Sequence, residues 1–383
     1  MSRRCQFIVL YCVCLFFSAP TVDARIIYVK QDASGQAGDG WDDESALADL
    51  STALNMAMAG DQIWVAQGDY KPPVGGLFTI PSGVRVFGGF YALSGSEAIN
   101  NATTRDLTAE GNNTVLSGLE SPFFTETIVE LLDVSEETVF ESFEITGAIR
   151  TAVRLQDCHG QVRNILIHDN VALLPGNGAG MSIGGQALDL VVRDCIFRDN
   201  SSVDDAGAVA CFDTTANFLN CIFEFNTAET GGAMRIDFNS DVDLESCIFK
   251  DNEATFGENG GGAILVDSSV ISVRDTVFSD NTADGVGGAV AARFCPAVQF
   301  VRTSFTGNLG VGRGGGLYVN ALTEGERSVR LANCEFLNNS LIHDPLNEFP
   351  GGGGAHIRKY ETALLDNCLF VNNSAYKRRR LAP

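Results

Sequence analysis

From residue 190 onward, apolar and polar positions recur in a fixed order that is best read by aligning the chain on a set of phenylalanines. Seven positions before each stand Leu190, Ala216, Val242, Ile271, Val298, Val329 and Ala363. Five before stand Val192, Phe218, Leu244, Val273, Phe300, Leu331 and Leu365. An apolar residue at every second position marks a strand with one buried face. Three before, the pattern breaks at Asp194, Asn220, Ser246, Asp275, Arg302, Asn333 and Asn367. Asn, Asp and Ser tolerate turn or left-handed geometry, so the break predicts a bend. Alternation then resumes in a new phase, with Cys or Thr two positions before the phenylalanine, and an asparagine closes the segment three residues after it. The pairs are Phe197/Asn200, Phe223/Asn226, Phe249/Asn252, Phe278/Asn281, Phe305/Asn308, Phe336/Asn339 and Phe370/Asn373, with Ile167/Asn170 as a degraded copy. A loop of variable length, Gly-Gly or a close variant, and a third apolar stretch such as "AILV" (263–266) complete the unit.

Successive copies are 30, 26, 26, 29, 27, 31 and 34 residues apart. A period of this size denotes a repeat architecture. Three short strands and three turns in roughly 26 residues describe one coil of an all-β, right-handed parallel β-helix, the hand following the usual rule for parallel crossovers. Stacked at about 4.8 Å, like residues lie over like. The phenylalanines then fill the core, the asparagines hold a turn and hydrogen-bond along the stack, and the glycines admit close backbone approach. A β-sandwich predicts hairpin turns every 8–12 residues instead, with no columns at fixed offsets.

The segments outside the repeat divide the chain further. Arg3 and Arg4 precede the apolar run "FIVLYCVCLFF" (7–17) and "SAPTVDA" (18–24), the order of an export signal over residues 1–24. The run is too short to span a bilayer, and no later segment is long enough, so the mature chain is expected to carry no transmembrane segment. Residues 25–61 hold a first strand, "RIIYV", and a short capping helix. "ESALADLSTALNMAMAG" (44–60) places Leu47, Leu50, Leu54 and Ala57 at helical spacing with Gly60 as a stop. The coils run over 62–376, irregularly at first. Insert 92–112 is expected to project as a loop, as is "SLIHDPLNEFPG" (340–351), the longest loop after an asparagine. The basic tail 377–383 stands where the pattern calls for another loop and Gly-Gly, as a truncated end would.

Composition narrows the partners. The formal net charge of −22 argues against nucleic acid and fits an exported protein. Three of the eleven cysteines, Cys5, Cys12 and Cys14, leave with the signal. Cys195, Cys221, Cys247, Cys334 and Cys368 share one column and read as small buried hydrophobes, since parallel side-chain vectors make poor disulfides. Cys/His zinc spacing is absent.

The pairing of GGA[ILV] with FxxN resembles the repeats of polymorphic outer membrane proteins. The glycine motifs are "GGAM" (231–234), "GGAI" (261–264) and "GGAV" (287–290), with looser copies at 206–209, 315–318 and 353–356. The opening "IYV…GDQIWVAQGDYKP" is similar to the start of many bacterial secreted β-helix repeat proteins. The resemblance implies a surface-exposed, adhesin-like protein, secreted or on the bacterial outer membrane. Those proteins usually end in a translocating β-barrel, for which this chain has no room. Parallel β-helices also resemble pectate lyases, which brings a polysaccharide-cleaving alternative into view.

Chemistry is concentrated after the glycine motifs. The outward residue there is Ala210, Arg235, Leu265, Ala291, Val319 and Ile357, so Arg235 breaks the rule. Two residues on stand Asp237, Asp267 and Arg293. Arg235, Asp237, Asp267 and Arg293 are therefore the candidate catalytic group of a calcium-assisted lyase, set against a plain charged outer face. His159, His168, His343 and His356 fall in different columns and form no constellation. A second feature is the outward stripe Ile196, Ile222, Ile248 and Val277, a candidate contact surface set against packing beneath loops. The sequence thus favours a non-catalytic binding protein needing no cofactor, with carbohydrate or another surface macromolecule as ligand; calcium enters only with the lyase alternative.

Overall fold

The chain is a right-handed parallel β-helix in the computed structural model, which describes residues 24–90, 114–119, 125–174, 178–185, 190–256, 260–321, 327–343 and 351–377. Among these residues every strand pairs in parallel with its counterpart one coil away, in four sheets of 12, 11, 8 and 10 strands. One coil serves as the pattern. A leading strand Asp241–Glu245 bends into the phenylalanine strand Ile248–Lys250, then the short strand Glu253–Ala254, then the glycine strand Ile264–Asp267.

The expectation of three strands per coil is corrected to four. The additional sheet is built from pieces such as Ser201–Ser202, Thr227–Ala228 and Thr282–Ala283. Two residues are too few to display an alternation, and their Ser and Thr read as loop. Only the second of each pair, such as Ala228, Ala254 and Ala283, is buried.

The corners are left-handed. The predicted bend has φ of 55°, 55°, 57°, 50°, 51°, 55° and 48° at Asp194, Asn220, Ser246, Asp275, Arg302, Asn333 and Asn367. Arg302 lacks the short polar side chain that eases this conformation, so its coil carries a small strain. A further left-handed corner precedes the asparagine column, at Asp199, Phe225, Asp251, Asp280, Asn338 and Asn372. The asparagine expected to hold this turn is therefore not itself the corner residue. In the coil of Asn339 the positive φ belongs to Asn338, at 55°, and Asn339 braces the corner from inside with its buried side chain.

Inside, Phe197, Phe223, Phe249, Phe278, Phe305 and Phe336 form one stack that the exposed Phe370 continues, with neighbouring ring centroids 4.4 to 5.0 Å apart. The asparagines form a continuous ladder. Asn252 Nδ2 donates to Phe223 O of the coil before (2.9 Å) and to Asn281 Oδ1 of the coil after (2.9 Å), while its own Oδ1 accepts from Asn226 N and Nδ2 (3.1 and 3.0 Å). The same bonds recur at Asn200, Asn226, Asn281 and Asn308. Asn339 extends them to the last described coil, its Nδ2 donating to Phe305 O (2.8 Å) and to Asn373 Oδ1 (2.9 Å). The Cys/Thr column has a physical basis too. Cys195 and Cys221 donate Sγ–H to the carbonyl two residues back (3.2 and 3.4 Å), and Thr276 and Thr303 donate Oγ1–H to the same carbonyl (2.8 and 3.2 Å). Either residue satisfies its own polar hydrogen in a buried place. The described cysteines are all free thiols, and burial pushes that of Cys211 up to about 12.

At one end of the stack lies the capping helix, but it spans Leu50–Met56, shorter than the 44–60 expected. Asp49 caps it by accepting from Ser51 N (3.1 Å) and Thr52 N (2.9 Å). Leu47 keeps helical spacing and is buried, yet it is held by parallel bridges to Val29 and Gly35. Spacing alone cannot separate those two ways of burying a leucine. Leu50, Ala53 and Leu54 then face the core. The signal, the insert 92–112, residues 344–350 of the long loop and residues 378–383 of the tail lie outside the described residues.

Candidate ligand-binding face

Arg235 sits on the glycine strand Met234–Asp237 and is enclosed by carboxylates. Its Nη2 donates to Asp237 Oδ2 at 2.7 Å, and its Nη1 donates to Asp205 of the preceding coil. Thr230 Oγ1 also donates to Asp205, at 3.1 Å. The exposures are low: 21% for the Arg235 side chain, 11% for Asp205 and 9% for Asp237. Strand register sets Asp267 beside Arg293, whose Nη2 donates to Asp267 Oδ2 at 2.6 Å. The four predicted residues are thus brought into two ion-paired groups. Register places Arg235 next to Leu265, and Leu265 next to Ala291, both fully buried. This face is packed over, and its carboxylates already accept from guanidinium N–H groups.

The outward column beyond Ala291 continues through Tyr318 and His356, correcting the expected Val319 and Ile357. In "GGGLYV" a third glycine, Gly316, occupies the place held by alanine in other copies, so counting from Leu317 slips by one residue. Tyr318 and His356 stack with centroids 5.7 Å apart. Burial, with the Arg313 and Arg358 charges, depresses the His356 pKa. His168 lies elsewhere, between Glu144 Oε1 (2.9 Å) and Asp169 Oδ2 (2.7 Å). Among the described residues no three His, Cys, Asp or Glu side chains are grouped to hold a metal ion.

Ile196, Ile222, Ile248 and Val277 do form one ladder in strand register. Ile196 and Ile222 are half-buried, while Ile248 and Val277 are 40% and 39% exposed. The stripe is therefore partly open to solvent.

A recess does occur where the sequence columns were hardest to read. On the outer face of the leading sheet, one column runs Tyr28, Trp64, Phe87, Glu141, Arg163 and its neighbour runs Gln62, Arg85, Val139, Gln161. In later coils these columns hold Asn217 and Leu219, Asp243 and Glu245, or Ser272 and Arg274. Among the described residues, aromatic residues enter these columns only near the capped end. Trp64 stacks on Phe90 at 4.7 Å, Tyr28 meets Trp41 edge-on at 4.9 Å, and the group closes over itself. Beside it opens a cleft of about 380 Å³ lined by Arg85, Phe87, Glu136, Glu137, Val139, Gln161 and Arg163. Phe87 and Val139 make an apolar floor. Arg163 is bound to Glu141 and donates to Gln161 Oε1 (3.4 Å), whereas the Arg85 guanidinium has no ion-pair partner among the described residues. The Ser135 hydroxyl holds the exposed Glu137 carboxyl below its usual range, so this rim is anionic at neutral pH.

Comparison with known proteins accords with the coil architecture. Residues 127–286 match the family described as a right handed beta helix region. The metabotropic glutamate receptor-like protein R of Dictyostelium discoideum is 24% identical over 219 residues, 57% of this chain and 12% of that protein. The probable autotransporter YfaL of Escherichia coli (strain K12) is 31% identical over 105 residues, 26% of this chain and 8% of that protein. The chain therefore spans only a small part of the length of either relative. Among solved structures, pectate lyase Pel9A has a TM-score of 0.44 at 13% identity, covering 92% of this chain and 78% of its own. The GH136 lacto-N-biosidase from Eubacterium ramulus has a TM-score of 0.46 at 11% identity, covering 91% and 67%. Scores this low carry no residue-by-residue correspondence. No helix among the described residues is long and apolar enough to cross a membrane.

Proposed function

We propose that this chain is an exported β-helical binding protein of the surface or extracellular space, resembling polymorphic outer membrane proteins, and that it binds carbohydrate or another surface macromolecule without catalysis. The observation that carries the reading is the state of the charged face after the glycine motifs. Arg235 is occupied by Asp205 and Asp237, Arg293 is occupied by Asp267, and buried Leu265 and Ala291 lie alongside, which leaves no open acid–base pair there. General acid–base chemistry needs a carboxyl or base within reach of a substrate proton. The open cleft on the leading sheet instead offers an apolar floor with a polar rim, the usual make-up of a binding site. The partial similarity to a probable autotransporter supports export. No cofactor is required by this reading.

The test is a combined release and retention assay. The purified protein is incubated with acidic and neutral polysaccharides, with and without calcium, while new unsaturated or reducing ends are followed. Retention on at least one polysaccharide without release is expected. Turnover that disappears in Arg235→Ala would establish a lyase-like site on that face and overturn the proposal.

A further inference from the structure

We infer that the cleft beside Arg85 binds a carboxylate-bearing sugar unit, with the carboxylate on the Arg85 guanidinium and one ring face on Phe87 and Val139. The inference rests on the carbohydrate reading above and adds the chemical class of the ligand and the residue that selects it.

Outward positions of a coil are free to vary, and from the rung of Gln161 and Arg163 onward the two outward columns of the leading sheet carry at least one polar residue per coil and no aromatic one among the described residues. At Arg85 and Phe87 they pair a cation with an aromatic ring on one strand, Arg85–Phe90. Register brings Val139 and Glu141 alongside, then Gln161 and Arg163 in the next coil. Three successive coils and the corner carrying Glu136 and Glu137 therefore border one open space. Its volume, about 380 Å³, lies at the small end of the range of ligand sites, which suits one or two sugar rings better than a peptide.

Charge then selects among sugars. Arg163 and Glu141 neutralise each other, so neither presents an unspent charge to the space. Arg85 is half-buried and lacks an ion-pair partner among the described residues. A guanidinium binds a carboxylate through two parallel N–H bonds, and it does so more strongly than it binds a neutral hydroxyl. Glu136 and Glu137, across the rim, accept from hydroxyl groups and repel a second carboxylate. This arrangement fixes the orientation of the ring: acid group toward Arg85, hydroxyls toward the glutamates and the Gln161 amide. A neutral sugar fills the same floor but leaves Arg85 unmatched.

The test compares ligands that differ in one charge. Oligogalacturonate and alginate oligomers, each beside its neutral methyl ester, are titrated calorimetrically into the purified protein, Arg85→Gln and Arg302→Gln. Arg302 is a control: it pairs with Asp275 on the exposed surface several coils away. Binding of at least one acidic oligomer is expected, weakened roughly tenfold or more by esterification and by Arg85→Gln, and unchanged in Arg302→Gln. Because Arg85 makes no side-chain bond among the described residues, Arg85→Gln is expected to keep the parent's thermal midpoint, which distinguishes lost binding from lost folding. Equal binding of acid and ester, or full binding by a folded Arg85→Gln, overturns the inference and leaves the carbohydrate reading in place. Retention of neutral polysaccharides alone has the same meaning. Failure to retain any polysaccharide overturns both.

Discussion

Gly262→Ala is expected to destabilise the protein by more than about 4 kcal/mol, the range reserved for substitutions that the native backbone cannot accommodate. A methyl group built on Gly262 lies 2.1 Å from Gly288 O and 2.6 Å from Thr282 O, both backbone atoms of the following coil. Real side chains do not approach a carbonyl that closely, so the two coils must separate, and with them the sheet hydrogen bonds they share. The same holds along the whole column: Gly232 meets Gly262 O at 2.2 Å, Gly288 meets Gly315 O at 2.0 Å and Gly315 meets Gly353 O at 2.1 Å. The preceding glycine is needed for another reason, since Gly261 has a φ of 74°. The informative control is Gly75→Ala. Gly75 has a φ of 69°, but a methyl group there meets nothing within 4 Å. Its cost is then the backbone conformation alone, about 1 kcal/mol. Urea denaturation monitored by circular dichroism distinguishes the two. Comparable midpoints for both variants would show that coil contact at Gly262 is not what fixes the glycine.

The second large effect is expected at Asn252. Its side chain is 1% exposed and takes part in four hydrogen bonds linking three successive coils. Alanine leaves Asn226 N–H, one Asn226 Nδ2–H and the Phe223 carbonyl without these partners in a place closed to water. At about 1–3 kcal/mol for each buried group left unpaired, a total loss of about 3–5 kcal/mol follows once partial relaxation is allowed. Asn373, beyond Asn339, makes the equivalent bonds to Asn339 N, Asn339 Nδ2 and Phe336 O, but it is half-buried in a coil whose Phe370, Val371 and Asn372 are exposed, so water can take its place. Asn373→Ala is expected to cost no more than about 1 kcal/mol. Thermal unfolding of the two variants side by side checks the contrast; equal losses would mean that the ladder contributes through local turns, not through coil-to-coil bonds.

These two columns are legible in the sequence because stacking gives every coil the same environment at the same offset. Phe249 and Asn252 meet the same neighbours as Phe278 and Asn281, so the residue types repeat. The fourth sheet was hidden because its strands are two residues long in several coils. The candidate charged face was legible as residue types and only partly as geometry. Arg235, Asp237, Asp267 and Arg293 can be read as outward residues of adjacent coils, but not their division into two ion-paired groups, nor the part of Asp205, which stands directly before the glycine-like motif at 206–209, one coil before Arg235. The cleft was harder still. Its columns pass through coils whose spacing varies and which are separated by the insert 92–112, so Arg85, Val139 and Gln161 share no sequence offset that marks them as neighbours. The alternation in "VRVFGGF" does set Arg85 and Phe87 on one face of a strand, and that was the available signal.

Because each strand pairs only with the strand one coil away, the molecule is mechanically a stack of rungs linked in series. Tension applied between its two termini does not load all four sheets at once. It peels one rung, and each rung set free lengthens the tether by about 90 Å, the extended span of roughly 26 residues. Its response to force is then a row of similar, evenly spaced events, unlike the single rupture of a domain whose strands are locked by distant partners. A ligand spanning the coils of Arg85, Val139 and Gln161 would tie three such rungs together and turn a progressive peel into one delayed step.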